Sequence, residues 1–162
     1  MHRNRLRTWI LLTGLSLAVT APALAADETN VTAGLTAAGA PLALHGFDPV
    51  AYFTTGAPAE ASATFAAVHD GATYYFASRK HLDAFTASPD RYAPQFGGFC
   101  AFGVSVGKKF DGDPRYWKIS DGRLYVNLNA EIAEKFNEDV RGSVAKAETH
   151  WRSIAHTPVR DL

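Results

Sequence analysis

The sequence predicts a single α+β domain behind an export signal, and three observations carry that reading. Two Asp-Gly pairs, Asp70-Gly71 and Asp121-Gly122, each lie between short runs of alternating apolar residues, the pattern of a tight β-hairpin. Each hairpin is followed by an amphipathic stretch headed by a capping residue, Ser78 or Asn129. A chain of 162 residues that is 47% hydrophobic, with ten Phe, can bury one real core.

The elements follow in order. Arg3, Arg5 and Arg7, an apolar run from Trp9 to Val19, and Ala23-Leu24-Ala25 have the three-part layout of a secretory signal peptide, with the cut after Ala25. The apolar run is about 11 residues, against the roughly 20 needed to span a bilayer. Residues 1–25 are therefore expected to be removed on export to the periplasm, with no membrane insertion afterwards. Residues 26–41 are rich in Ala, Thr and Gly and read as a flexible N-terminal arm. The folded domain is expected over 42–156, with 157–162 as a frayed tail.

Within the domain, Val50 to Phe53 reads as a short strand after Asp48-Pro49. The first hairpin, Thr64 to His69 with Ala72 to Phe76, is expected to pair Ala67 with Tyr74 and Phe65 with Phe76. A helix from Arg79 to Thr86 follows, then a helical turn from Ser88 to Tyr92. Gln95 to Lys109 holds four glycines and three phenylalanines around Cys100; residues 99–106 fit either a short buried helix or a turn. The second hairpin, Tyr116 to Ser120 with Arg123 to Leu128, pairs Ile119 with Leu124 and Trp117 with Val126. Helices over Ala130 to Asp139 and Val144 to Ile154 close the chain, separated at Gly142.

Charge narrows the function. The leader carries three of the 16 basic residues and none of the 16 acidic ones, so the mature chain is slightly acidic, which argues against nucleic acid as a partner. No Gly-x-Ser-x-Gly, His-Glu-x-x-His or phosphate-loop motif is present. Cys100 is the one cysteine, and an exported protein normally pairs its thiols. It is therefore a metal ligand, a buried structural thiol or a nucleophile. His69 beside its turn, and His150 and His156 near the C-terminus, read as solvated. Lys108-Lys109 reads as a solvated turn or an anion-binding edge. Asp111-x-Asp113 lacks the further acidic ligands of a calcium loop.

The first hairpin and helix resemble a YHS domain. The likeness runs through Asp70-Gly71-Ala72-Thr73-Tyr74-Tyr75-Phe76-Ala77-Ser78, His81, Phe85, Pro89, Asp90 and Tyr92. Gly46-Phe47-Asp48-Pro49-Val50-Ala51-Tyr52-Phe53 and Gly97 to Val104 resemble the flanking segments of the stand-alone exported branch, so the likeness extends from about Leu44 to Trp151. The resemblance implies a small metal-binding module. Two family cysteines fall on Ala77, which cannot ligate, and His81, which can.

A replacement donor set is Cys100, His45 and His81, with Asp48 as orienter or weak ligand. Sulfur with imidazole suits copper above all, and zinc as well. The leading expectation is a periplasmic copper-binding carrier, buffer or delivery partner, working with a periplasmic or membrane metal-handling protein. The alternatives are a metal-free small-molecule or protein-binding module with an aromatic pocket (Tyr52, Phe53, Tyr74, Tyr75, Phe76, Phe96, Phe99 and Phe102 being the candidate walls), and an enzyme using Cys100 with His45 or His81.

Overall fold

The computed structural model describes residues 28–162. The signal peptide and its cleavage point lie outside the described residues. The two Asp-Gly pairs make the turns expected of them: Asp70 and Asp121 take φ of 46° and 50°, and the glycines after them also have positive φ. They close two separate antiparallel hairpins, β1 (Ser62–His69) with β2 (Ala72–Phe76) and β3 (Asp113–Ser120) with β4 (Arg123–Asn127). Ala67 pairs with Tyr74, Trp117 with Val126 and Ile119 with Leu124, as the alternation predicts. Phe65 does not pair with Phe76. A bulge between Ser62 and Ala66 shifts the register, so Phe76 faces Ser62.

The stretch expected as a strand after Asp48-Pro49 is instead a short helix, α1 (Ala51–Thr54). The Val50 N–H donates to the Asp48 carboxylate at 2.8 Å, and the Asp48 carbonyl accepts from Ala51. These bonds bend the chain into a helical turn and override the β preference of Val, Tyr and Phe. Between the hairpins come α2 (Arg79–Ala87), capped by the Ser78 hydroxyl, α3 (Pro89–Tyr92) and the buried α4 (Ala101–Ser105). After the second hairpin, Asn129 caps α5 (Ala130–Glu138), and α6 (Val140–Ile154) follows directly.

The α5–α6 break falls at Asp139, not at Gly142. The Asp139 carboxylate accepts from the Gly142 N–H at 2.9 Å and starts the second helix. A Cβ on Gly142 would come within 2.0 Å of that carboxylate, so glycine is what lets the cap close.

Each hairpin brings its own apolar cluster. Phe76, Phe85, Tyr74 and Val50 pack under the first; Phe96, Val104, Tyr125, Phe136 and Ala147 pack under the second. Leu44, Tyr52, Leu124 and Val126 join them, and the Tyr52 hydroxyl donates to the Pro114 carbonyl at 2.9 Å. Parts of the described arm bond to the domain. The Asn30 N–H donates to the Gly97 carbonyl, Val31 bridges to Ala43, and the Thr36 and Thr73 hydroxyls lie 2.9 Å apart. Gly97, at φ 62°, lies so close beneath it that a Cβ there would sit 1.8 Å from the Glu28 carbonyl oxygen. The tail ends in a 3-10 turn, Val159–Asp161, and Leu162 packs against the second cluster.

Gly142→Ala should raise helix propensity by up to about 1 kcal/mol but displace a cap of about the same value, leaving stability nearly unchanged. In an Asp139→Ala background the same change should stabilise by about 0.5–1 kcal/mol. Urea unfolding of the four proteins measures this; equal effects in both backgrounds would refute the cap.

Candidate functional site

Asp48 is 0% exposed and arrives on the turn before α1. One carboxylate oxygen accepts from the Val50 N–H; the other accepts from the Ala77 N–H at 2.8 Å and lies 2.6 Å from His81 Nδ1. The Ser78 cap places His81 in the first turn of α2, facing Asp48. With an ionised acceptor on Nδ1, that nitrogen carries the proton. His81 Nε2 then lies 3.3 Å from the Thr54 hydroxyl, and the ring is 16% exposed. The result is an oriented imidazole with one nitrogen turned away from its carboxylate.

Cys100 is elsewhere. It is 0% exposed, at the N-terminus of α4, and its backbone forms a bridge with Val126 of β4. The sulfur accepts from the Gly103 N–H at 3.3 Å and donates to Asn127 Oδ1 at 3.9 Å. Asn127 Oδ1 also accepts from the Phe102 N–H, so thiol and amide together cap α4. Burial pushes the thiol above its ordinary value of 9.0, only partly offset by backbone N–H bonds.

His45 occupies a third place. Leu44, His45 and Gly46 all have positive φ, a tight left-handed turn, and His45 Nε2 lies 2.8 Å from Asp111 Oδ1. Asn30 donates to the same oxygen at 2.6 Å. The expected donor set of Cys100, His45, His81 and Asp48 is therefore not gathered at one point: only Asp48 and His81 meet. Among the described residues no group of three or more His, Cys, Asp or Glu is arranged to hold a metal ion.

Two features lie outside the sequence reading, and the first is Lys109, which that reading put in a solvated turn or at an anion-binding edge. Lys109 is buried at 3% exposure. Its ammonium donates to the carbonyls of Ala155 and Thr157 at 2.7 and 2.9 Å, at the C-terminal end of α6, and lies 5.2 and 5.3 Å from the ring centres of Phe99 and Trp151.

The second is a cleft of about 470 Å³ where the arm, the first hairpin, the segment after α3 and α6 meet. Its walls include Glu28, His69, Asp70, Tyr74, Gly97 and Trp151. His69 is not merely solvated: it sits edge-on to Phe85, with Nε2 3.3 and 3.4 Å from Asp70 and Asp90. Tyr74 is 3% exposed, yet its phenol O–H makes no hydrogen bond among the described residues. No buried side-chain nitrogen or oxygen of the described residues is left unsatisfied, so this oxygen is one the cleft can reach. Burial, and next the Asp70 charge, raise the phenol well above its usual range and keep it a donor. The aromatic alternation in β2 was the legible signal; that Tyr74 and Trp151 of α6 would line one cleft was not.

Comparison with known proteins returns no matching family model, no similar curated protein and no similar solved structure. Among the described residues no helix is long and apolar enough to cross a membrane.

Asp48→Ala strands two backbone donors and an imidazole, and should cost about 3–5 kcal/mol. His81→Ala leaves two of the three bonds in place and should cost about 1–2 kcal/mol. Urea unfolding measures both, and the reverse order would show that Asp48 is not the anchor. A second expectation concerns pH. The folded thiol keeps its proton where the unfolded one loses it, so its contribution is intact below about pH 9 and is lost as pH rises further. Cys100→Ser, which keeps a capping oxygen, should flatten the loss of stability between about pH 8.5 and 10 in melting scans; an unchanged slope would exclude the thiol as its source.

Proposed function

We propose that this protein is an exported, YHS-like binding module, acting in the periplasm, that holds a small ligand in the cleft between the first hairpin, the arm and α6. One observation carries the reading: a tyrosine almost wholly withdrawn from solvent presents an O–H without a partner to a hollow of ligand size. The phenol oxygen is open to the cleft, so an acceptor on a ligand can bond its O–H there. The cleft mixes aromatic walls with a few polar groups, the usual make-up of a small-molecule site. Catalysis by Cys100 has no support of this kind, because the thiol is bonded to Asn127 and Gly103 rather than to an imidazole and is held protonated.

A second reading, a copper or zinc carrier, buffer or delivery partner, is favoured by the Asp48–His81 pair. A carboxylate on one imidazole nitrogen is the common way of aiming the other at a metal. Cys100 and His45, the other expected donors, bond elsewhere, to Asn127 and Asp111. On this reading His81 supplies one ligand and a metal-handling partner protein supplies the rest.

The test is an NMR titration of the isotope-labelled protein with a set of amines, carboxylic acids, sugars and amino acids at millimolar concentration, and with Zn²⁺ and Cu⁺ separately. Shifts at Gly71, Gly97 and the Trp151 indole, weakened about ten-fold by Tyr74→Phe, are expected. Shifts confined to His81 with the metals, and none at the cleft, would overturn the first reading in favour of the second.

A further inference from the structure

The chemistry of the cleft walls points to a class of ligand, an inference that rests on the cleft reading above. Charge comes first. Glu28 and Asp70 line the hollow, and Asp90 lies 3.4 Å from His69, which also lines it. Among the described residues no lysine or arginine lines it. The Lys109 ammonium sits 5.3 Å from the Trp151 ring centre and is engaged by the carbonyls of Ala155 and Thr157. His156, which lies 2.6 Å from Glu28, is largely exposed. Carboxylates therefore stand at the rim of the cleft, Glu28 beside His156 and Asp70 beside His69.

The walls come second. Tyr74 and Trp151 bring aromatic rings to the same hollow, and ring faces attract cations. The Tyr74 O–H makes no hydrogen bond among the described residues and can donate to an acceptor on a ligand. A carboxylate ligand would supply the acceptor but would meet Glu28 and Asp70 with like charge. A neutral ligand would leave the carboxylates unused.

We infer that the cleft takes a small organic cation, an ammonium or trimethylammonium group held against the Tyr74 and Trp151 rings within reach of Asp70 and Glu28, joined by a short linker to a hydroxyl or carbonyl oxygen that accepts from Tyr74. The cleft of about 470 Å³ has room for a molecule of that size with bridging water.

The experiment compares choline with its uncharged isostere 3,3-dimethylbutan-1-ol and with the anion 3-hydroxypropionate, each titrated into the labelled protein. Choline should shift Gly71, Gly97 and the Trp151 indole and bind about ten-fold more tightly than the isostere. Asp70→Asn and Glu28→Gln should each weaken choline about three-fold or more and leave the isostere unchanged. Both variants suit the fold, since Asn is favoured at the first position of this turn and Gln can keep the hydrogen bond to His156. Equal binding of choline and the isostere, or choline shifts that map away from the cleft, would overturn the inference. If the isostere or the anion occupies the cleft and choline does not, the ligand class falls while the cleft stands as a site. If the wider set of compounds also misses the cleft, both fall.

Discussion

A single buried carboxylate ties the first half of this molecule together. Asp48 accepts from the Val50 N–H on its own turn, from the Ala77 N–H at the end of β2 and from His81 in α2. An ionised group without solvent exposure is tolerated only when its lone pairs are met, and here three donors from three pieces of chain meet them. The same bonds turn Val50 to Phe53 into a helix, bury Tyr52 and so carry its hydroxyl to Pro114 at the head of the second hairpin. Placement of one half against the other thus runs through this carboxylate.

The lone cysteine has a comparable structural role in the second half. Its sulfur and the Asn127 amide cap a buried helix of five residues, and its backbone N–H donates to Phe110 while it bridges to β4. A thiol so enclosed is a small apolar group with weak hydrogen bonds, which explains how it persists unpaired. Lys109 completes this region by crossing two aromatic rings to reach the last carbonyls of α6. Polar chemistry is spent on architecture at all three places. Among the described residues the buried Tyr74 makes no side-chain hydrogen bond, and it lines the cleft where arm, hairpin and terminal helix meet.

Local signals were read well wherever the physics is local. The Asp-Gly turns, the Ser78 and Asn129 caps and the registers of Ile119 with Leu124 and Trp117 with Val126 needed only neighbouring residues. Errors came where a side chain reaches across the chain or competes with propensity: Asp48 redirecting a β-prone run, Asp139 moving a helix start, and a bulge slipping Phe65 away from Phe76. In the arm, whose Ala, Thr and Gly composition suggests looseness, Asn30 and Thr36 bond to Gly97 and Thr73, and Val31 bridges to Ala43.

From the amino-acid order alone came the α+β class, the two hairpins, their helices and the singular cysteine, because alternation, capping and turn chemistry act over a few residues. The meeting of Asp48 with His81, the separation of Cys100 and His45 from both, and the joining of Tyr74 to Trp151 in one cleft were decided by the tertiary structure. Those distances depend on how the two hairpin units pack, and packing is settled by the sum of many weak contacts that no short stretch of sequence displays.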